Sequence, residues 1–304
     1  MKRVAVTGAA GFIGRHLVTE LHQKGYDVLC LGRSSKSLDR IKTNVPKRET
    51  DYSVRDLAQA LESCDVLVHL AGQRLTHDDD PEFVAPFTDS AMKTLDHLLR
   101  AAKTNGLTRV LTASSIGVYS PANETPFHEN DCPKPGTTYG LSKRFCEEVV
   151  DFWGERNNVP VAHIRLAQCY GHGEKDSGAL MRLVGQARRK EMLKLNDGGS
   201  FQIDEVYVAD AIRAFTKLIR CDEKGPFNIG AGKSYSVLEI AQTANEVFGN
   251  NGNLYVEPAP QNTSIGASRY MDIKRAKELL GWWPQYDLNA GMRAMHLEIK
   301  HEDN

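Results

Sequence analysis

Short, predominantly apolar stretches, residues 4–7, 27–31, 65–72 and 109–113, are separated by longer ones in which apolar residues recur every three or four positions. The first pattern is that of strands buried on both faces, the second that of amphipathic helices packed on them. Strand and helix therefore alternate from residue 4 to about 166, which predicts an α/β fold with a doubly wound parallel sheet and helices on both faces. Helices are predicted over 54–62 and 89–105 and from Tyr139 onward, with polar loops over 73–86 and 120–138. The second loop holds Pro121, Pro126, Pro133, Pro135 and Gly136, and a long loop in a compact domain is more often functional than not. A further strand over 206–208 and a helix over 209–219 are predicted.

The first strand stops at Gly8 and the first helix begins near Gly11, with Phe12, Ile13 and Leu17 apolar. Gly8, Gly11 and Gly14 in that place predict a dinucleotide site. They permit a sharp turn, let backbone N–H groups reach a pyrophosphate, and let helix sit close to strand. Anion charge then meets the helix N-terminus, with Phe12 and Ile13 in its first turn. The second strand ends in Gly32-Arg33-Ser34-Ser35-Lys36. An NAD site usually carries an acidic residue here, to bind the ribose hydroxyls and repel a 2′-phosphate. Gly32 does neither, whereas Arg33 with Ser34, Ser35 and Lys36 suits a 2′-phosphate, so NADP(H) is favoured and NAD(H) is the alternative. Arg33 lying over the adenine, or simply solvated, is the other reading. Asp51 and Tyr52, which follow a short third-strand region, are candidates to border the adenine, with Ser53 as a helix N-cap. Leu70, Ala71 and Gly72 close a buried strand with small residues where a cofactor approaches; His69, inside that strand, reads as a core histidine.

The 304 residues carry a net charge of −1, which supplies no basic field for a nucleic-acid backbone and points to free nucleotides or small molecules as partners. Six scattered cysteines without C-x-x-C pairs read as thiols of a reducing compartment, and Cys132 in the proline-rich loop reads as incidental. No run approaches a membrane span and no secretory segment precedes the first strand, so a cytoplasmic protein is expected. No His, Cys or Asp cluster has metal-ligand spacing.

The fifth strand ends in Ser114-Ser115, and after the proline-rich loop comes Tyr139-Gly-Leu-Ser-Lys143. Residues four apart on a helix share a face, which places Lys143 beside Tyr139. An ammonium beside a phenol favours the phenolate, and a phenol so tuned can handle the proton of an oxygen whose carbon exchanges hydride with a nicotinamide. Tyr270 and Lys274 repeat the spacing outside the βα core. Strand alternation leaves Ser114 and Ser115 open as the hydroxyl that holds the same oxygen.

With these pieces the chain resembles the extended short-chain dehydrogenase/reductases, the NAD-dependent epimerase/dehydratase family. The resemblance covers Thr-Gly-Ala-Ala-Gly-Phe-Ile-Gly14, His-Leu-Ala-Gly72, Ser-Ser-Ile-Gly-Val-Tyr119, Tyr-Gly-Leu-Ser-Lys143, Phe-Asn-Ile-Gly230, Asp-Ile-Lys-Arg-Ala276 and Leu-Gly-Trp282. It implies a Rossmann domain over 1–170, rejoined by 201–232, and a smaller substrate lobe over 171–200 and 233–304. It implies a catalytic set of Ser115, Tyr139 and Lys143, with Ser115 chosen over Ser114 by its distance from Tyr119. Lys143 is also expected on the nicotinamide ribose, Gln168 near the sugar, and a homodimer through two helices. Ile116-Gly117 replaces the Asp-Glu pair of the family's dehydratases, which argues against dehydration. Ile203-Asp204-Glu205 and Gln261-Asn262 replace two arginines that hold the nucleotide diphosphate, which puts nucleotide-sugar binding in question; Arg182, Arg188, Arg189, Lys194 or Arg269 are the residues that would compensate. The expected activity is hydride transfer at a sugar carbinol or carbonyl, C4 of a nucleotide-sugar first, with a 4-ketoreductase slightly ahead of a 4-epimerase because of Arg33. Reduction of a non-nucleotide carbonyl and a non-catalytic dinucleotide sensor are the further alternatives.

Overall fold

The computed structural model describes residues 2–72, 84–175, 178–259 and 268–303. The apolar runs fold as β1 (Arg3–Thr7), β2 (Asp27–Gly32), β4 (Val66–His69), β5 (Arg109–Ser115) and β6 (Val161–Leu166), with a charged third strand, β3 (Lys47–Glu49), among them. Between and after them lie α1 (Phe12–Gln23), α2 (Ser35–Leu38), α3 (Val54–Ala60), α4 (Val84–Thr104) and α5 (Thr138–Asn157). The remaining strands are β7 (Gln168–Tyr170), β8 (Leu193–Leu195), β9 (Gln202–Ile203), β10 (Glu205–Tyr207), β11 (Gly225–Ile229), β12 (Tyr235–Ser236) and β13 (Leu254–Val256). The remaining helices are α6 (Ala179–Arg188), α7 (Val208–Ile219), α8 (Val237–Val247), α9 (Lys274–Leu280) and α10 (Leu288–Asp303).

Seven strands form one sheet in the order β11-β6-β5-β4-β1-β2-β3. β1 pairs in parallel with β2 on one side (Val4 with Val28) and with β4 on the other (Val4 with Val66). Chain order therefore reverses beside β1, and the crevice at such a switch point is where open α/β sheets bind ligands. Alternation along the strands sends Ala5, Leu29, Leu31, Leu67 and Val110 into one core with α3, α4 and α5, through Leu57, Leu95, Leu98 and Val150. Val4, Val6, Val28 and Cys30 are equally buried, which is why these strands read as continuous apolar runs. β5 runs two residues past the predicted end because Ser114 and Ser115 stay extended, Ser115 at φ −150° and ψ 151°. Most of the loop predicted over 73–86 lies outside the described residues.

The chain divides into two units, one of residues 1–122, 129–165 and 212–227, the other of 123–128, 166–211 and 228–304. The segment that rejoins the first unit is thus shorter than the expected 201–232. Its first part stays in the second unit because β9 pairs with β12 and β10 with β7. The second unit is otherwise anchored by the fully buried Trp282, whose indole N–H donates to the Asp210 carbonyl at 2.9 Å, while the Asp210 carboxylate accepts from the N–H groups of Gln285 and Tyr286.

Candidate functional site

The turn between β1 and α1 is lined by backbone because side chains do not fit. Gly8 has φ +68°, and a Cβ on it would fall 2.6 Å from the Ala71 nitrogen and 2.7 Å from the Leu70 carbonyl carbon. A Cβ on Gly14 would fall 2.2 Å from the Gly8 oxygen, so α1 packs on the turn only with glycine there. Gly11 N–H donates to the Gly8 oxygen at 2.9 Å, and the helix starts without a side-chain cap. The first-turn N–H groups, those of Phe12, Ile13 and Gly14, have no acceptor within their helix. Gly8, Leu70 and Ala71 are thus brought together by the pairing of β1 with β4. Thr7 fixes that pairing: its hydroxyl lies 2.7 Å from His69 Nδ1 and 3.4 Å from the Ala71 N–H that donates to it. Burial, aided by the Lys143 charge, pushes His69 down to about 3, so it is a neutral core histidine at physiological pH.

Two strands across the sheet, Ser115, Tyr139 and Lys143 meet. Ser115 Oγ accepts from Gly117 N–H at 3.1 Å, holding the short helical turn Ile116–Val118 against the strand end. Thr137 Oγ1 accepts from Gly140 N–H at 3.1 Å and caps α5, which begins one residue before Tyr139. Lys143, one turn on, donates from Nζ to the Ala113 carbonyl at 2.9 Å, and Nζ lies 5.6 Å from the centroid of the Tyr139 ring. The same Nζ is 3.3 Å from where a Cβ on Gly72 would lie. One ammonium therefore touches the exit of β4, the end of β5 and the tyrosine. Ser114, the other serine, is buried, which leaves Ser115 as the half-exposed hydroxyl of the pair.

Three supports of this cluster escaped the sequence reading. Gly140 and Gly117 are in backbone contact: a Cβ on Gly140 would fall 2.0 Å from the Gly117 oxygen. A glycine in the first turn of a helix, where propensity disfavours it, was the available signal. Behind them the buried Arg165 holds Glu147 through two hydrogen bonds of 3.0 and 2.8 Å, and donates to the Tyr119 hydroxyl at 2.9 Å and the Glu129 carbonyl at 3.1 Å. Burial opposes the Glu147 charge, but the Arg165 hydrogen bonds and charge hold its carboxyl below the usual range. The third support, the Thr7 and His69 pair, had no periodic signature.

Arg33, Asp51 and Tyr52 form a separate cluster at the β2–β3 edge. The Arg33 guanidinium lies 5.2 Å from the Tyr52 ring centroid and donates to Thr94 Oγ1 at 3.2 Å. Burial pushes the Tyr52 phenol up to about 12, with Arg33 opposing. Asp51 Oδ1 accepts from Ser53 N–H at 2.7 Å, and Ser53 caps α3.

Gln168, Arg182 and Arg269 belong to the second unit. The Gln168 amide packs on Gly178, where a Cβ would lie 2.3 Å from its nitrogen, and Arg182 stands in the first turn of α6, its backbone N–H donating to the Gly178 carbonyl at 3.0 Å. Arg269 is exposed and lies two residues before Met271, whose N–H donates to the buried Asp204. Of the other basic candidates, Arg189 is paired with Glu191, and Gln261 and Asn262 lie outside the described residues. Tyr270 precedes α9, which starts at Lys274, so the repeated Tyr-x-x-x-Lys spacing is not a helical one.

A parallel sheet whose order reverses beside a turn that only backbone can line is the architecture of the dinucleotide-binding α/β enzymes. Within that class the chain belongs to the NAD dependent epimerase/dehydratase family, whose model matches residues 4–230; it is an enzyme of the extended short-chain dehydrogenase/reductase type. It is 29% identical to a UDP-N-acetylglucosamine 4-epimerase from Bacillus cereus, with a TM-score of 0.87 over 99% of this chain and 97% of that one. MoeE5, solved with UDP-glucuronic acid and NAD, is 27% identical with a TM-score of 0.82, over 99% of this chain and 100% of that one. A dTDP-4-dehydro-6-deoxy-D-allose reductase from Streptomyces bikiniensis is 27% identical over 99% of this chain and 97% of its own. Among the described residues no helix is long and apolar enough to cross a membrane.

Proposed function

We propose that the chain oxidises and reduces C4 of a nucleotide-activated sugar, with Ser115, Tyr139 and Lys143 as its catalytic residues. The observation that carries this reading is the placement of Lys143 Nζ, which is fixed by the Ala113 carbonyl between the Tyr139 ring and Gly72. A nicotinamide dinucleotide supplies the hydride acceptor and donor when bound, and the Gly8–Gly14 turn with Leu70, Ala71 and Gly72 fits its pyrophosphate and close approach. Tyr139 takes and returns the proton of the C4 hydroxyl, while Ser115 Oγ holds the same oxygen. Lys143 holds the ribose and keeps a positive charge beside the phenol. Both hydroxyl bearers stand on rigid elements, a strand end and a capped helix, which is what precise positioning requires.

Among C4 chemistries, epimerisation with retained NAD is favoured over ketoreduction. The relative with the TM-score of 0.87 is a 4-epimerase, and the acidic Glu49 stands at the corner where NADP selection was expected of Arg33. Gln168 and Arg182 lie near the sugar and its diphosphate in this reading, with Arg269 the further cation. Replacement of a diphosphate arginine by Ile203 favours one second reading, a non-nucleotide carbonyl. The test combines three measurements: cofactor that copurifies, turnover of UDP- and dTDP-sugars followed by NMR, and Tyr139→Phe. The variant is expected to bind NAD normally and to lose 10²–10⁴-fold in kcat. Full turnover by Tyr139→Phe would refute the catalytic set, and no thermal shift with UDP-, dTDP- or GDP-sugars would favour the second reading.

A further inference from the structure

In dinucleotide sites of this architecture an acidic side chain at the end of the second strand binds the adenosine ribose and repels a 2′-phosphate. That position is Gly32, which has no side chain, and a Cβ there would press on the Leu38 side chain, 2.9 Å from Cδ2 and 3.0 Å from Cγ. Leu38, the last residue of α2, is itself buried. β3 pairs with β2 in parallel, and its register sets Glu49 directly beside Gly32. Residues opposite one another across a ladder present the same face of the sheet. Glu49 Oε2 accordingly reaches round the end of β2 and accepts from the Ser35 N–H at 2.8 Å.

Arg33, the residue that would compensate a 2′-phosphate, is meanwhile engaged with Thr94 and the Tyr52 face. We propose that Glu49, presented by β3, is the specificity-determining residue that makes the ribose corner select NAD over NADP. The inference rests on the dinucleotide reading above. Its chemistry is simple: a carboxylate offers acceptors to the 2′- and 3′-hydroxyls of a ribose and repels a phosphate dianion in the same place.

Glu49→Gln is the discriminating variant, because Glu49 is exposed and the amide oxygen can still accept from Ser35 N–H while the charge is gone. Dissociation constants for NAD⁺ and NADP⁺ are measured by titration calorimetry on the wild type, Glu49→Gln, and Glu49→Gln combined with Arg33→Ala. The wild type is expected to bind NAD⁺ the tighter, and Glu49→Gln to shift the NAD⁺ to NADP⁺ affinity ratio about tenfold toward NADP⁺, the scale of one screened unit-charge contact. Adding Arg33→Ala is expected to return most of that shift, since it removes the cation that the freed phosphate would use. An unchanged ratio in Glu49→Gln, with both dinucleotides still bound, overturns the role of Glu49 alone. Binding of neither dinucleotide to the wild type would overturn this proposal together with the dinucleotide reading beneath it.

Discussion

A single methyl group added at Gly140 tests how Tyr139, the proposed proton carrier, is positioned. Gly140 lies in the first turn of α5 between Tyr139 and Lys143, and by helix propensity alone alanine there would stabilise the protein by up to about 1 kcal/mol. The structure gives the opposite sign. A Cβ would fall 2.0 Å from the Gly117 oxygen and 2.8 Å from the Gly117 carbonyl carbon, with Pro135 Cβ at 3.1 Å. Real Cβ contacts essentially never come closer than 3.0 Å, so the helix start and the Ile116–Val118 turn must separate by about 1 Å. Both partners are backbone, so no rotamer change relieves the clash. Overpacking of this kind costs about 1–3 kcal/mol, which cancels or outweighs the propensity gain.

The functional effect is larger than the stability effect. Separating α5 from that turn moves Tyr139 away from Ser115, and a misplacement of about 1 Å costs on the order of 10²-fold in rate. Gly140→Ala should therefore lower Tm, lower kcat about a hundredfold, and leave the NAD⁺ dissociation constant within about twofold. Gly154→Ala is the control: it lies on the same helix, where a Cβ would meet Val161 Cγ1 at 2.7 Å and the Val159 carbonyl oxygen at 2.9 Å. It should lower Tm with kcat unchanged. A Gly140→Ala enzyme with raised Tm and wild-type kcat would refute the reasoning.

Glu205 is buried and, among the described residues, neither of its carboxyl oxygens has a hydrogen-bond partner; Glu205→Met should raise stability by about 1–3 kcal/mol. Burial, with the Asp204 charge second, holds the Glu205 carboxyl well above its usual range, so the gain seen in urea unfolding should grow as pH rises above the carboxylate range. Burial likewise pushes Asp204 up to about 7 despite two backbone N–H donors. Its contribution is present in full below the ordinary Asp range, near 4, and is lost as pH rises toward 7; the Tm difference between wild type and Asp204→Asn should fall over that interval. Arg165→Met leaves the buried Glu147 carboxylate with Arg144, at 3.2 Å, as its remaining guanidinium partner, so the cost should reach at most about 3 kcal/mol, the low end of that for a broken buried pair, and adding Glu147→Leu should restore most of it in the same unfolding assay.

Much of the first unit was legible because its determinants are local. A buried strand, a glycine turn and a helix start are neighbours in sequence, so the Gly8–Gly14 segment announces itself, and the four-residue spacing of Tyr139 and Lys143 needs only a helix to become a contact. The same spacing in Tyr270 and Lys274 fails because the helix begins at the lysine. What escaped depends on register between segments distant in sequence. β3 is Lys47-Arg48-Glu49, three charged residues on an edge strand, so a short third strand before Asp51 is legible but no hydrophobic period sets its register. Its pairing with Gly32 nevertheless decides where the Glu49 carboxylate sits. Gly117 and Gly140 read as two unrelated glycines until the helix start is laid on the turn.

The second unit was the least legible for the same physical reason, and this bears on substrate choice. Its sheets are pairs of strands two or three residues long, joining 168 to 205, 203 to 235 and 193 to 254 in sequence. Strands so short carry too few alternations to reveal a face, so nothing in the predicted strand over 206–208 announces that Glu205 opens it and is buried there. The lost arginine at Ile203 follows the same logic. Ile203 pairs with Tyr235, and Gln202 accepts from Ser234, which in turn meets Ser268 at 2.7 Å. The segment carrying Arg269 is thereby tied alongside Ile203 from the other end of the unit. A cation deleted from one strand can be returned by a neighbour that the strand pairing brings beside it, as Glu49 returns the acid that Gly32 lacks. On that argument Arg269→Ala should weaken sugar-nucleotide binding at least as much as Arg182→Ala, measured as the dissociation constant for UDP; no loss in Arg269→Ala would mean that the diphosphate is held from α6 alone.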